Sequence, residues 1–213
     1  MTEQQIQEKL AGMKKTRKTL AKVTLCASIL AMLLLVAYNI LEVVFCKTEV
    51  EAIVTAVHFE KGFSFPGWQV IFWGMGGQYI MGGQLFDPNP LAIIAVLGTL
   101  IVLIVCLALR KKGKNKAKAI REFLSAACLC FSALVLGFFI APVARMTATE
   151  NLSNFKTKVL DVPGTEFKAT AVAILIGVVL LVCAAVKVYN ALFLLKQKKF
   201  AAQYAPKKSK GDK

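Results

Sequence analysis

Four stretches of the chain stay apolar for about twenty residues each, and the polar positions gather between them. They cover residues 23–45, 91–109, 123–143 and 169–195. The last is continuously apolar only to Val186 and then runs on as an extension. A hydrocarbon core roughly 30 Å thick takes about 20 helical residues, so each stretch predicts one crossing. The second carries no charge, and 13 of its 19 positions are Leu, Ile or Val. At about −0.3 to −0.6 kcal/mol each, these favour insertion by roughly 4–8 kcal/mol. Lipid offers no partner to an open peptide group, so the crossings are helices; the segments are too long for barrel strands. The pattern predicts an all-α membrane protein: a four-helix transmembrane bundle with a small β-hairpin-like extracellular cap between helices 1 and 2.

Charge sets the orientation. The 213 residues are 57% hydrophobic and 18% charged, with a net charge of +15, which excludes an ordinary soluble domain. Six Lys or Arg precede the first stretch, seven lie in residues 110–122, and seven in residues 196–213. The intervening segments 46–90 and 144–168 hold two and four. Short Lys- and Arg-rich segments stay cytoplasmic. The protein is therefore expected in the cell membrane as a multi-pass protein, with both termini and residues 110–122 in the cytoplasm and 46–90 and 144–168 outside. The first stretch is too long for a signal peptide and lacks a small-x-small cleavage site, so it reads as an uncleaved anchor.

The first outer segment has the most unusual composition. Residues 62–87 hold seven of the 20 aromatics, both tryptophans among them, and seven of the 14 glycines. Such a run is a poor helix and a plausible set of short strands around turns. Residues 68–73 read as one strand and 78–81, continuing toward Phe86, as its partner. A strand apolar on both faces needs covering twice. Three readings follow: an interfacial aromatic belt, a docking surface, and a re-entrant segment. Trp68, Phe72, Trp73 and Tyr79 are the candidate partner-binding residues.

The order of span, aromatic-Gly segment (Gly67-Trp68-Gln69-Val70-Ile71-Phe72-Trp73-Gly74) and three further spans resembles small four-span membrane proteins of Gram-positive bacteria that have no assigned activity. More distantly, the layout is similar to claudin-like tetraspans, whose first outer loop is a small sheet carrying tryptophan. That family's loop also carries a cysteine pair, which this chain lacks, so junction formation is not implied.

Small residues recur every fourth position at Ala133, Gly137 and Ala141, and again at Ala169, Ala173 and Gly177. Such stripes let helix backbones approach closely and predict that spans three and four face each other or another subunit. Pro142 is expected to end the third span. Glu42 and Lys187 lie near span ends, within snorkelling reach of water, and no charge is expected at mid-membrane, which argues against a transporter acting alone.

Cys26, Cys46, Cys106, Cys128, Cys130 and Cys183 read as small apolar residues, and His58 has no converging metal ligands. No catalytic set, metal site or cofactor motif is apparent; the Asn151-Leu152-Ser153 sequon lies outside. The expectation is a non-catalytic structural or partner-binding protein or, alternatively, an accessory subunit of a transporter or channel. Residues 1–22, with Ile6, Leu10 and Met13 on one face, and the basic end 196–213 are expected to meet anionic lipids at the cytoplasmic face. A further membrane protein or a second copy are the other candidate partners, and nucleic acid is not expected.

Overall fold

A computed structural model describes residues 2–47, 63–72, 74–75, 84–86, 88–147, 149–152, 155–158 and 166–204. Four of its helical stretches are long and apolar enough to cross a membrane: Gln4–Tyr38, Pro90–Ala108, Asn115–Phe138 and Ala171–Tyr204. Large apolar side chains cover their outer faces, with Ile101 61% and Leu175 63% exposed. Apolar surface on this scale is rare on proteins that face water.

Helix α1 (Glu3–Tyr38) has 36 residues, about 54 Å at 1.5 Å per residue. The N-terminal stretch with Ile6, Leu10 and Met13 is the start of this one helix. Those three side chains are half-buried, and nearby Lys9 sits over the Phe200 ring of the last helix, 5.0 Å from its centroid. That last helix, α7 (Ala171–Tyr204), packs most extensively against the third helical stretch and next against α1.

The two middle stretches are not uniform helices. The second runs as three segments: a short helix α3 (Pro90–Ile93), a π-helical segment from Ile94 to Gly98, then helix α4 (Thr99–Ala108). The third runs as α5 (Asn115–Ser132), turns π-helical from Ala133 to Phe138, and resumes as α6 (Ile140–Thr147). A π-helical turn departs from the usual i to i−4 ladder, and carbonyls so freed in an apolar setting need partners from neighbouring helices. Ser132 Oγ donates to the Ala95 carbonyl at 2.6 Å, with Thr99 Oγ1 2.7 Å from the same hydroxyl. Tyr38 Oη donates to the Leu136 carbonyl at 2.7 Å. Pro142 does not end the third stretch. The break falls at Phe139, and Pro142 occupies the first turn of the resumed helix, where a missing N–H costs little.

The end of the bundle beyond Tyr38 carries a three-stranded antiparallel sheet in the order β2-β1-β7. Its strands are β1 (Glu42–Lys47), β2 (Phe63–Pro66) and β7 (Glu166–Ala169). The first apolar stretch therefore stops being helical at Tyr38, not at residue 45. Asn39 Nδ2 bonds back to the Leu35 carbonyl at 2.9 Å, and Val43 and Val44 enter the central strand fully buried. β-Branched residues fit a pleated ladder better than a helix end, and here the ladder has partners on both sides. Ala169 faces Val44 across β1 and β7, so it belongs to the sheet and not to the fourth span. Thr170 then starts α7: its hydroxyl donates to Glu42 O at 2.8 Å and accepts from Ala173 N at 3.3 Å.

The expected strand over residues 68–73 is instead a short helix, α2 (Gly67–Ile71). Gly67, Val70 and Ile71 are its buried residues, a helical i, i+3, i+4 spacing that a short run, apolar but for Gln69, does not distinguish from a strand. Its first two N–H groups donate to Leu41 O at 3.1 Å and Asn39 O at 3.0 Å, which ties it to the end of α1. Strand pairing does occur around it, between β3 (Gly74–Met75) and β4 (Gln84–Phe86), and a separate pair joins β5 (Thr149–Leu152) to β6 (Phe155–Lys158). The expected partner strand at 78–81 lies outside the described residues.

Candidate functional site

At the sheet end, α2 is a platform. Val70 and Ile71 are fully buried beneath it. Gly67 lies so close to α1 that a Cβ there would collide with the Tyr38 carbonyl oxygen. Beyond α2, Asn89 N donates to Ile71 O at 3.0 Å, while the Asn89 side chain accepts from Ala92 N and donates to Val143 O at 3.2 Å. On this fixed base Trp68 points outward, 45% exposed. Phe72, expected as a second outward anchor, is half-buried and packs against the core. Trp73 and Tyr79 lie outside the described residues. Ile40 and Leu41, read from sequence as part of the first span, are exposed beside α2. Asn39, a residue that readily ends helices, was the available signal.

In the bundle, the small-residue stripes on the third and fourth stretches meet. A Cβ on Gly137 would lie 2.6 Å from the Gly177 Cα, and one on Gly177 would lie 3.2 Å from the Ala133 carbonyl oxygen. Ala133 and Ala173 are fully buried in the same contact region. Two members of the stripes do not take part as expected. Ala141 follows the break at Phe139 and is half-buried, and Ala169 is in β7.

The opposite, basic end holds charge that the sequence pattern did not reveal as buried. Lys187 is 3% exposed, not snorkelling to water, and its Nζ lies 3.3 Å from Glu122 Oε2. Glu122 is the lone carboxylate in residues 110–122, which was the legible hint. A cavity of about 100 Å³ adjoins this pair. Arg17 of α1, Arg110, and Lys118 and Arg121 of the third stretch all line it, together with Glu122 and Asn190. Arg110 donates to the Ala21 carbonyl. Arg121 donates through Nη1 to Leu109 O at 2.6 Å and through Nη2 to Lys112 O. The connection these bonds hold turns at Gly113, whose φ of 89° favours glycine.

All six cysteines are free thiols. Cys46, in β1, is held in partly buried surroundings that push its thiol up to about 11. Among the described residues no three His, Cys, Asp or Glu side chains converge as metal ligands. No family model, curated protein or solved structure matches the chain.

Proposed function

We propose that this is a multi-pass integral membrane protein, both termini cytoplasmic, that acts without catalysis by holding a partner membrane or cell-surface protein through its outer cap. The four helices form the transmembrane bundle, and the sheet with α2 forms the cap. The observation that carries the reading is Trp68, half exposed on a platform whose other apolar residues are buried. Core packing does not account for an outward tryptophan on so fixed a base, whereas a preorganised aromatic anchor is what protein interfaces use most. Exposed Ile40 and Leu41 extend the apolar patch.

The alternative role, an accessory subunit of a transporter or channel, loses an expected contact surface. Gly137 and Gly177 already occupy each other within one chain. The competing explanation of Trp68 is an interfacial belt contacting headgroups.

In-membrane crosslinking and mild-detergent purification of the wild type and of Trp68→Ala separate these. Loss of a crosslinked partner in Trp68→Ala, with an unchanged unfolding temperature, supports docking. Retention of every partner, with Trp68 fluorescence quenched by brominated lipid in a Trp73→Phe background, overturns docking in favour of the belt.

A further inference from the structure

The basic end has more organisation than membrane orientation requires. Orientation is served by any exposed cation, and Lys14, Lys15, Lys18, Lys111, Lys112, Lys114 and Lys116 are all exposed. Arg17, Arg110, Lys118 and Arg121 are different. Each is half-buried, and they converge on one cavity from separate helices and their connection. Among the described residues the one carboxylate lining that cavity, Glu122, is already engaged by buried Lys187.

Gathering like charges in a partly desolvated space costs Coulomb energy, and an anion in the cavity would remove that cost. The donors are also preset. Arg110 and Arg121 are oriented by backbone carbonyls while keeping further N–H groups free. The side chains of Arg17 and Lys118 have no hydrogen-bond or ion-pair partner among the described residues. Asn190 is 5% exposed and lines the same cavity, and its side chain has no hydrogen-bond partner among them either. Four cations exceed what the two oxygens of a carboxylate can use, but they match a phosphate, which arginine forks recognise with good geometry.

We infer that this cavity is a binding site for a phosphate group, carried either by an anionic phospholipid headgroup or by a free phosphorylated molecule. Basic pockets between membrane helices on the cytoplasmic side are suited to such headgroups. The lipid source rests on the membrane reading above. Phosphate recognition as such does not, nor does it involve Trp68.

The test compares two charge-matched double variants. Arg17→Gln/Lys118→Gln removes cavity cations that make no internal bonds, and Lys14→Gln/Lys116→Gln removes two exposed lysines. One arm titrates inorganic phosphate into protein in a non-ionic, phospholipid-free detergent. The other counts phosphatidylglycerol retained from mixed phosphatidylglycerol–phosphatidylcholine nanodiscs by native mass spectrometry. The cavity variant is expected to lose at least tenfold in affinity or retention, the surface variant less than twofold, and Arg17→Lys/Lys118→Arg to behave as wild type. Loss confined to the nanodisc arm identifies the lipid source, and loss in the detergent arm identifies a free phosphate. Equal losses in both double variants, or no binding in either arm by folded wild type, would overturn the site. An unfolding temperature taken for each variant keeps misfolding from passing as loss of binding, and the charge-preserving variant then decides the outcome.

Discussion

The Tyr38 hydroxyl, at the last turn of α1, donates to the carbonyl of Leu136 inside the π-helical segment of the third stretch, and both residues are fully buried. This bond joins two elements 98 positions apart and satisfies a carbonyl in a stretch of irregular helix. Tyr38→Phe keeps the ring and leaves that carbonyl open. A buried acceptor left without its donor costs about 1–3 kcal/mol, so the variant should unfold at lower denaturant than the wild type in detergent. An unchanged midpoint would mean that the bond contributes nothing net.

Glycine positions should divide sharply by surroundings. Gly137→Ala drives a methyl against the Gly177 backbone, an overpacking expected to cost about 1–3 kcal/mol. Gly12 lies within α1, and among the described residues nothing comes within 4 Å of an added Cβ. Gly12→Ala should therefore stabilise, by about 0.5–1 kcal/mol from helix propensity. Thermal unfolding of the two variants should shift in opposite directions.

The Lys187–Glu122 pair should show strong coupling. Glu122→Gln leaves a buried ammonium without its counter-charge, and such half-broken pairs cost about 3–5 kcal/mol; the 20% exposure of Glu122 argues for the lower end. Lys187→Met combined with Glu122→Gln removes both charges and should recover most of the loss. A double-mutant cycle by denaturant unfolding measures this directly. Additive effects would show that the two groups are independently solvated.

Cys46 should be a slow nucleophile. With its thiol raised to about 11 by burial, only about one molecule in 10⁴ carries the thiolate at pH 7. Alkylation of a variant retaining only Cys46 should rise about tenfold per pH unit between pH 7 and 10. The sign for stability follows: the folded state holds the proton more tightly than the unfolded chain. This contribution is complete below the ordinary thiol range and is lost as pH climbs toward 11. A labelling rate that levels off near pH 9 would contradict the burial.

Orientation is open to a separate measurement. Protease added to intact cells should cut near Lys61 and spare Lys114, and the preference should reverse in inside-out vesicles. Cleavage near Lys114 in intact cells would invert the topology.

Much of the architecture was legible in the sequence because hydrophobic length and charge position are local quantities. The second apolar stretch, with no charge among residues 91–109, has few alternatives to a helix. Of the Ala and Gly spacings, Gly137 and Gly177 meet across the third and fourth stretches, whereas Ala141 and Ala169 lie elsewhere. The cap was read less well. Residues 68–73 are apolar but for Gln69, so strand and helix look alike until Gly67, Val70 and Ile71 have something to bury against. Phe45 and Ala169 look like span residues for the same reason: hydropathy does not register that β1 has pairing partners on both sides.

By itself, then, the amino-acid order determined how many long apolar helices form and that the lysines collect between them, since both follow from residue-by-residue transfer energies. Packing between elements distant in the chain sets where those helices stop, where they turn π-helical, and which charges turn inward. Tyr38 and Leu136, Ser132 and Ala95, and Glu122 and Lys187 are far apart in the chain, and each pairing exists because a buried polar group takes whatever partner the packing brings within reach.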